Sequence, residues 1–149
     1  VGVSQMEPHV SEIVRIVQLV VAPVFLLTAV GTLINALNSR LGRAVDRRRV
    51  LEAGLGRLSQ DEAGSAQHEL AQIGRRIRYV YLSILFAVLC ALFVCLLIAG
   101  AFVGALVSAE LTRTIATLFV LAMLALTVSL LLFLREIFLA VATPRHVPK

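Results

Sequence analysis

Three long stretches of the chain contain no charged residue: Ile16–Ser39, Tyr79–Ala109 and Thr114–Leu134. About 20 apolar residues, each rising about 1.5 Å, cover the roughly 30 Å hydrocarbon core of a bilayer, and every stretch reaches that length. Apolar residues cover all faces of these stretches, as a lipid-facing helix requires and an amphipathic helix of a soluble domain does not. A soluble bundle of three such helices would need a much larger protein around it. This chain has 149 residues, 59% of them hydrophobic, and a net charge of +5. Membrane-spanning β-strands fail on length and on the lack of alternation. The sequence therefore predicts an all-α integral membrane protein, a single membrane domain over residues 1–149, with three transmembrane helices at about 16–39, 79–109 and 114–134.

Charge asymmetry sets the expected orientation. Residues 40–78 hold nine arginines: Arg40, Arg43, Arg47, Arg48, Arg49, Arg57, Arg75, Arg76 and Arg78. The other connection is only Glu110–Arg113. Positive-inside logic places the arginine segment and the C-terminus in the cytoplasm and the N-terminus outside. The first apolar stretch is too long for a signal-peptide core and runs into arginines, not into a small-residue cleavage site. Cys90 and Cys95 both lie in the second span; five residues apart they point about 140° from each other and do not bridge.

The arginine segment has helical periodicity of its own. Leu41, Ala44, Arg48, Leu51, Leu55 and Leu58 follow a 3,4 spacing, and Ala66, Leu70, Ile73, Ile77 and Val80 follow it on the return. These are coiled-coil seams. Ser59 to Ser65, with Asp61 and Gly64 between, has turn and N-cap chemistry. The first span is expected to continue as helix to about Leu58, turn, and return as the helix that becomes the second span. This makes an antiparallel cytoplasmic helical hairpin at about residues 40–78 that extends spans one and two. Arg48 at a seam position calls for a carboxylate, either Glu52 at i+4 or Glu69 on the other arm.

Polar residues inside spans mark packing or function. On the first span Thr28, Thr32, Asn35 and Ser39 form the centre of a polar arc of about 160° at 100° per residue, with Pro23 on the opposite side. Pro23 removes the helical bond to the Leu19 carbonyl and is expected to kink the helix. Two readings of the stripe stand side by side. It is interhelical glue, or several copies surround an axis and the stripe lines a water-filled path. Arg40, Arg43 and Arg47 continue one face of the same helix, as basic rings that attract anions or as contacts to anionic lipid head groups. The second span carries Gly100 and Gly104 in a GxxxG followed by Ser108, a spacing that lets backbones approach. Ala122, Ala125 and Ser129 repeat the small-residue theme in the third. Arg135 and Glu136 read most simply as a stop signal that could pair with the basic segment; a buried ion pair is the lesser expectation.

His9, His68 and His146 do not converge on a metal site. No catalytic or phosphate-loop motif and no cofactor signature is present, and no aromatic residues interleave with the arginines as nucleic-acid binding would ask. The expectation is a protein that is not an enzyme, holds no cofactor and takes no nucleic acid.

Two blocks carry a family resemblance. One runs from Ala22-Pro23 and Thr28 through Asn35, Asn38, Arg40, Arg43 and Asp46-Arg47-Arg48-Arg49 to Glu52; the other runs from Leu118-Phe119 through Phe133 and Arg135-Glu136 to Ile137. Together they resemble the small bacterial inner-membrane proteins catalogued as domain of unknown function 2721, over nearly the whole chain. The resemblance implies a multi-pass protein of the bacterial inner (plasma) membrane and carries no activity with it. Two functions remain as expectations. The first is a homo-oligomer forming a pore, with Thr28, Thr32, Asn35 and Ser39 along the path and Arg40, Arg43 and Arg47 at a basic cytoplasmic mouth. The second is an accessory or scaffold subunit of a larger membrane complex.

Overall fold

The computed structural model describes residues 7–57, 60–107 and 112–141. These form three α-helices: α1 at Glu7–Gly54, α2 at Gln60–Val107 and α3 at Thr112–Val141, with a 3-10 turn at Leu55–Arg57 between the first two. All three helices are long and apolar enough to cross a membrane. At 48 residues each, α1 and α2 have more than twice the length that a crossing takes.

The chain passes straight from apolar span to arginine-rich helix in α1, as the sequence predicts. The α conformation persists through Pro23, Gly31 and Gly42 and gives way to the 3-10 turn only after Gly54. The expected end near Leu58 falls outside the described residues. The expected turn at residues 59–65 is largely helix instead, since α2 begins at Gln60. Glu62 puts negative charge at the N-terminal end of the helix dipole, which offsets the helix-weakening Gly64. A Cβ added at Gly64 meets no atom within 4 Å. Gly64→Ala is therefore expected to raise stability by about 0.4–1 kcal/mol, read as a higher thermal midpoint in detergent.

Packing divides the helices into two units, each with its own buried set. The first comprises the described residues of Val1–Thr32 and Ala87–Leu126. Its interior holds Val20, Pro23 and Val30 of α1, Ala87, Cys90, Val94 and Leu97 of α2, and Ala122 and Ala125 of α3. The α2 residues recur at 3,4,3, a seam spacing. The second unit comprises the described residues of Leu33–Phe86 and Thr127–Lys149. Here Leu37, Ala66, Ile73, Val80, Ser83, Ser129 and Glu136 are buried; of the predicted return seam, Ala66, Ile73 and Val80 are buried and Leu70 and Ile77 half-buried. Large apolar side chains lie on the outside of both units: Phe25 is 72% and Phe138 66% exposed. That inverts the pattern of a soluble protein and suits a hydrocarbon solvent.

Arg48 does not sit in a seam. It is exposed and its Nε donates to Glu52 Oε1 at 2.7 Å, the i,i+4 alternative of the two weighed from sequence. Glu69 is taken by Arg47 instead, whose Nε and Nη2 both donate to Glu69 Oε1 at 3.1 and 2.9 Å. This pair ties α1 to α2 but is about half exposed, so water screens it to under about 1 kcal/mol.

Candidate functional site: a buried carboxylate between arginines of two helices

The charged centre of the second unit is Glu136 of α3, which is only 2% exposed. Its Oε2 accepts a hydrogen bond from Arg40 Nη1 at 3.0 Å. Its Oε1 accepts from Arg76 Nη2 at 2.9 Å and, more weakly, from Arg76 Nε at 3.3 Å. One carboxylate thus joins α1 and α2 through α3. The two arginines keep about a third of their side chains exposed, whereas the carboxylate is almost fully enclosed. Arg40 also lies over the Phe133 ring, 5.0 Å from its centroid, and Arg135 over the Tyr79 ring at 5.4 Å. Both are cation–π distances.

The helix faces explain the convergence. Ser129, Phe133 and Glu136 stand at i, i+4 and i+7 on α3, and Arg76, Val80 and Ser83 at i, i+4 and i+7 on α2, so each set shares one face. At the serine level Ser83 Oγ donates to the Ser129 carbonyl at 2.7 Å and Ser129 Oγ to the Ser83 carbonyl at 2.8 Å. Side chains that reach the partner's main chain require close backbones.

A cleft of about 230 Å³ opens beside Glu136. Arg40, Arg43, Arg47 and Arg76 line it together with Ala44 and Ile73. The three arginines predicted to share a face of α1 are thus brought together and joined by Arg76, which the sequence did not single out. Two of the three are not free: Arg40 is held by Glu136 and Arg47 by Glu69. Arg43 is exposed and has no ion-pair partner among the described residues.

The other predicted residues are placed as follows. Thr28, Thr32, Asn35 and Ser39 are all exposed. The hydroxyls of Thr28, Thr32 and Ser39 donate to carbonyls four residues back in their own helix, at 3.5, 3.0 and 3.1 Å. The Asn35 amide has no hydrogen bond among the described residues. Within one subunit the stripe is therefore not interhelical glue. Gly100 is no tight contact either, because a Cβ there meets nothing within 4 Å. Gly104 is buried, and Ser108 lies outside the described residues. The small-residue face that does bury itself is Ala122, Ala125 and Ser129 on α3. Glu136 does pair with the basic segment, through Arg40 and Arg76, and it does so buried, the lesser of the two expectations. Its i+7 relation to Ser129 was the available signal, since it continues the small-residue face. No group of His, Cys, Asp and Glu able to hold a metal occurs among the described residues.

The family model described as "Protein of unknown function (DUF2721)" matches residues 20–146. The chain belongs to this family. The matched span takes in the polar stripe, the whole Arg40–Glu136–Arg76 cluster and both packing serines. No curated protein and no solved structure matches the chain.

Proposed function

We propose that this family member is a non-enzymatic, homo-oligomeric protein of the bacterial inner membrane whose copies surround a polar path. Thr28, Thr32, Asn35 and Ser39 face that path, and the arginines of α1 form its cytoplasmic mouth. The N-terminus lies outside and the C-terminus inside. The observation that carries this reading is the bare polar surface of α1. Asn35 and Asn38 are exposed, and their amides find no partner among the described residues. An amide left in hydrocarbon costs roughly 4–8 kcal/mol; water along an axis, or a second copy, removes that cost. Thr28, Thr32 and Ser39 bond carbonyls of their own helix, so the asparagine amides carry the argument.

The test is particle mass in mild detergent, followed by ion flux from proteoliposomes. Several copies per particle are expected, with flux that Arg43→Glu alters by reversing charge at the mouth. A strictly monomeric particle overturns the proposal. Recovery of one copy with a stoichiometric foreign protein overturns it in favour of an accessory subunit, with the same stripe as the docking face.

A further inference from the structure

We propose that the cleft lined by Arg40, Arg43, Arg47 and Arg76 is a binding site for a phosphate group at the membrane surface, with Glu136 as its positioning residue. The site belongs to one subunit and stands whether or not the copies enclose a pore.

Charge favours an anion. Four guanidiniums line the cleft, Glu136 lies among them and Glu69 neutralises Arg47, which leaves two positive charges uncompensated (4 − 2). Donors remain as well. A guanidinium carries five N–H groups. Arg40 gives one nitrogen to Glu136, Arg47 directs two at a single oxygen of Glu69, and Arg43 has no partner among the described residues. Glu136 does not fill the site with negative charge. Both its oxygens are already occupied by Arg40 and Arg76, so the buried carboxylate fixes two forks while Arg43 and Arg47 stay exposed.

Planar forks of this kind match the several oxygens of a phosphate, a geometry that a monatomic anion does not use. The volume holds a phosphate with the atoms esterified to it, and Ala44 and Ile73 supply an apolar wall. The level in the chain is the second argument. Arg40 is the first charge after the uncharged stretch ending at Ser39. Arg76 lies just before the stretch that begins at Tyr79, and Glu136 just after the one that ends at Leu134. All three helices contribute to the cleft where charge resumes, the level at which lipid phosphates sit.

The experiment titrates the full chain in non-ionic detergent at matched ionic strength and reads the unfolding midpoint. The added probes are short-chain phosphatidylglycerol, short-chain phosphatidylcholine or inorganic phosphate. A bound ligand raises the midpoint saturably. Arg43→Gln is expected to leave the ligand-free midpoint unchanged and to weaken apparent affinity about tenfold, the loss of one charge-assisted contact. Arg49→Gln, an equal charge change at an exposed residue outside the cleft, is expected to weaken it less than about twofold, since exposed charges are screened. A rise with phosphatidylglycerol alone identifies a lipid head group as the source of the phosphate, and a rise with inorganic phosphate identifies the free ion. The proposal is overturned if neither probe gives a saturable rise. It is also overturned if phosphatidylcholine acts equally and Arg43→Gln weakens neither lipid's effect, or if Arg43→Gln and Arg49→Gln weaken binding alike.

Discussion

Glu136→Ala is expected to destabilise the folded protein by about 2–4 kcal/mol, the largest loss from any truncation of a polar side chain in this chain. Removing one member of a buried ion cluster typically costs about 3–5 kcal/mol, because the partner charge is left without compensation in a poorly solvated place. The lower figure applies here because Arg40 and Arg76 are each about one third exposed and water screens what they lose. Glu136→Gln keeps the shape and one acceptor oxygen but turns an NH2 group toward guanidinium donors, so it is expected to cost about 1–3 kcal/mol. Arg40→Ala is expected to cost less than Glu136→Ala, since Arg76 still satisfies the carboxylate. The decisive comparison replaces all three residues by methionine. No charge is then orphaned, and most of the stability is expected to return. The buried Cys90 thiol in a Cys95→Ser background reports unfolding through its accessibility to a thiol reagent. If Glu136→Ala unfolds within 0.5 kcal/mol of the parent, on the order of a neutral surface change, the carboxylate does not hold the helices together.

Glu136 also marks where the sequence stops being legible. The helices could be read because hydrophobicity over about 20 residues is a property of composition, and the return seam from Ala66 to Val80 because period is visible without a partner. On α1 the predicted seam is weaker: Leu41, Ala44, Leu51 and Leu55 are only half-buried, and at Arg48 a local i,i+4 carboxylate competed with the heptad and won. What period does not reveal is which of several equivalent charges meet. Glu52, Glu69 and Glu136 were all available to the arginines of α1, and helix rotation alone assigned them to Arg48, Arg47 and Arg40. A similar limit affects the small residues. Gly100-x-x-x-Gly104 and Ala125-x-x-x-Ser129 look alike as strings, but only the second is buried at both of its ends. Even the polar stripe keeps two physical meanings, because hydroxyls that bond their own helix are at ease in lipid, and only the asparagine amides demand a partner.

Ser129→Leu carries the second large effect, about 2–5 kcal/mol, and separates those two small-residue motifs. Ser83 and Ser129 are both fully buried, and their hydroxyls lie 3.1 Å apart. Each hydroxyl has one proton, and each is already directed at the other residue's main-chain carbonyl. The hydroxyl–hydroxyl contact is therefore not a third bond; it records how closely α2 and α3 approach in this unit. Ser129→Ala removes one donor and leaves the approach intact, at about 0.6–1.7 kcal/mol, the range for interhelical bonds in membranes. A leucine has two more side-chain heavy atoms than serine at a fully buried position, which by overpacking costs about 1–3 kcal/mol, and it takes away the Ser129 hydroxyl that donates to the Ser83 carbonyl. Gly100→Leu is the control. No atom lies within 4 Å of an added Cβ and the position is only half-buried, which leaves a longer side chain an outward path, so the change is expected to be neutral or to stabilise by up to about 1 kcal/mol through helix propensity. The same thiol-accessibility unfolding curve reads both variants. Equal losses at the two positions would mean that Gly100 packs as tightly as Ser129. A loss at Gly100 seen only as reduced particle mass would place that glycine between copies, where a leucine keeps two backbones apart without disturbing either subunit.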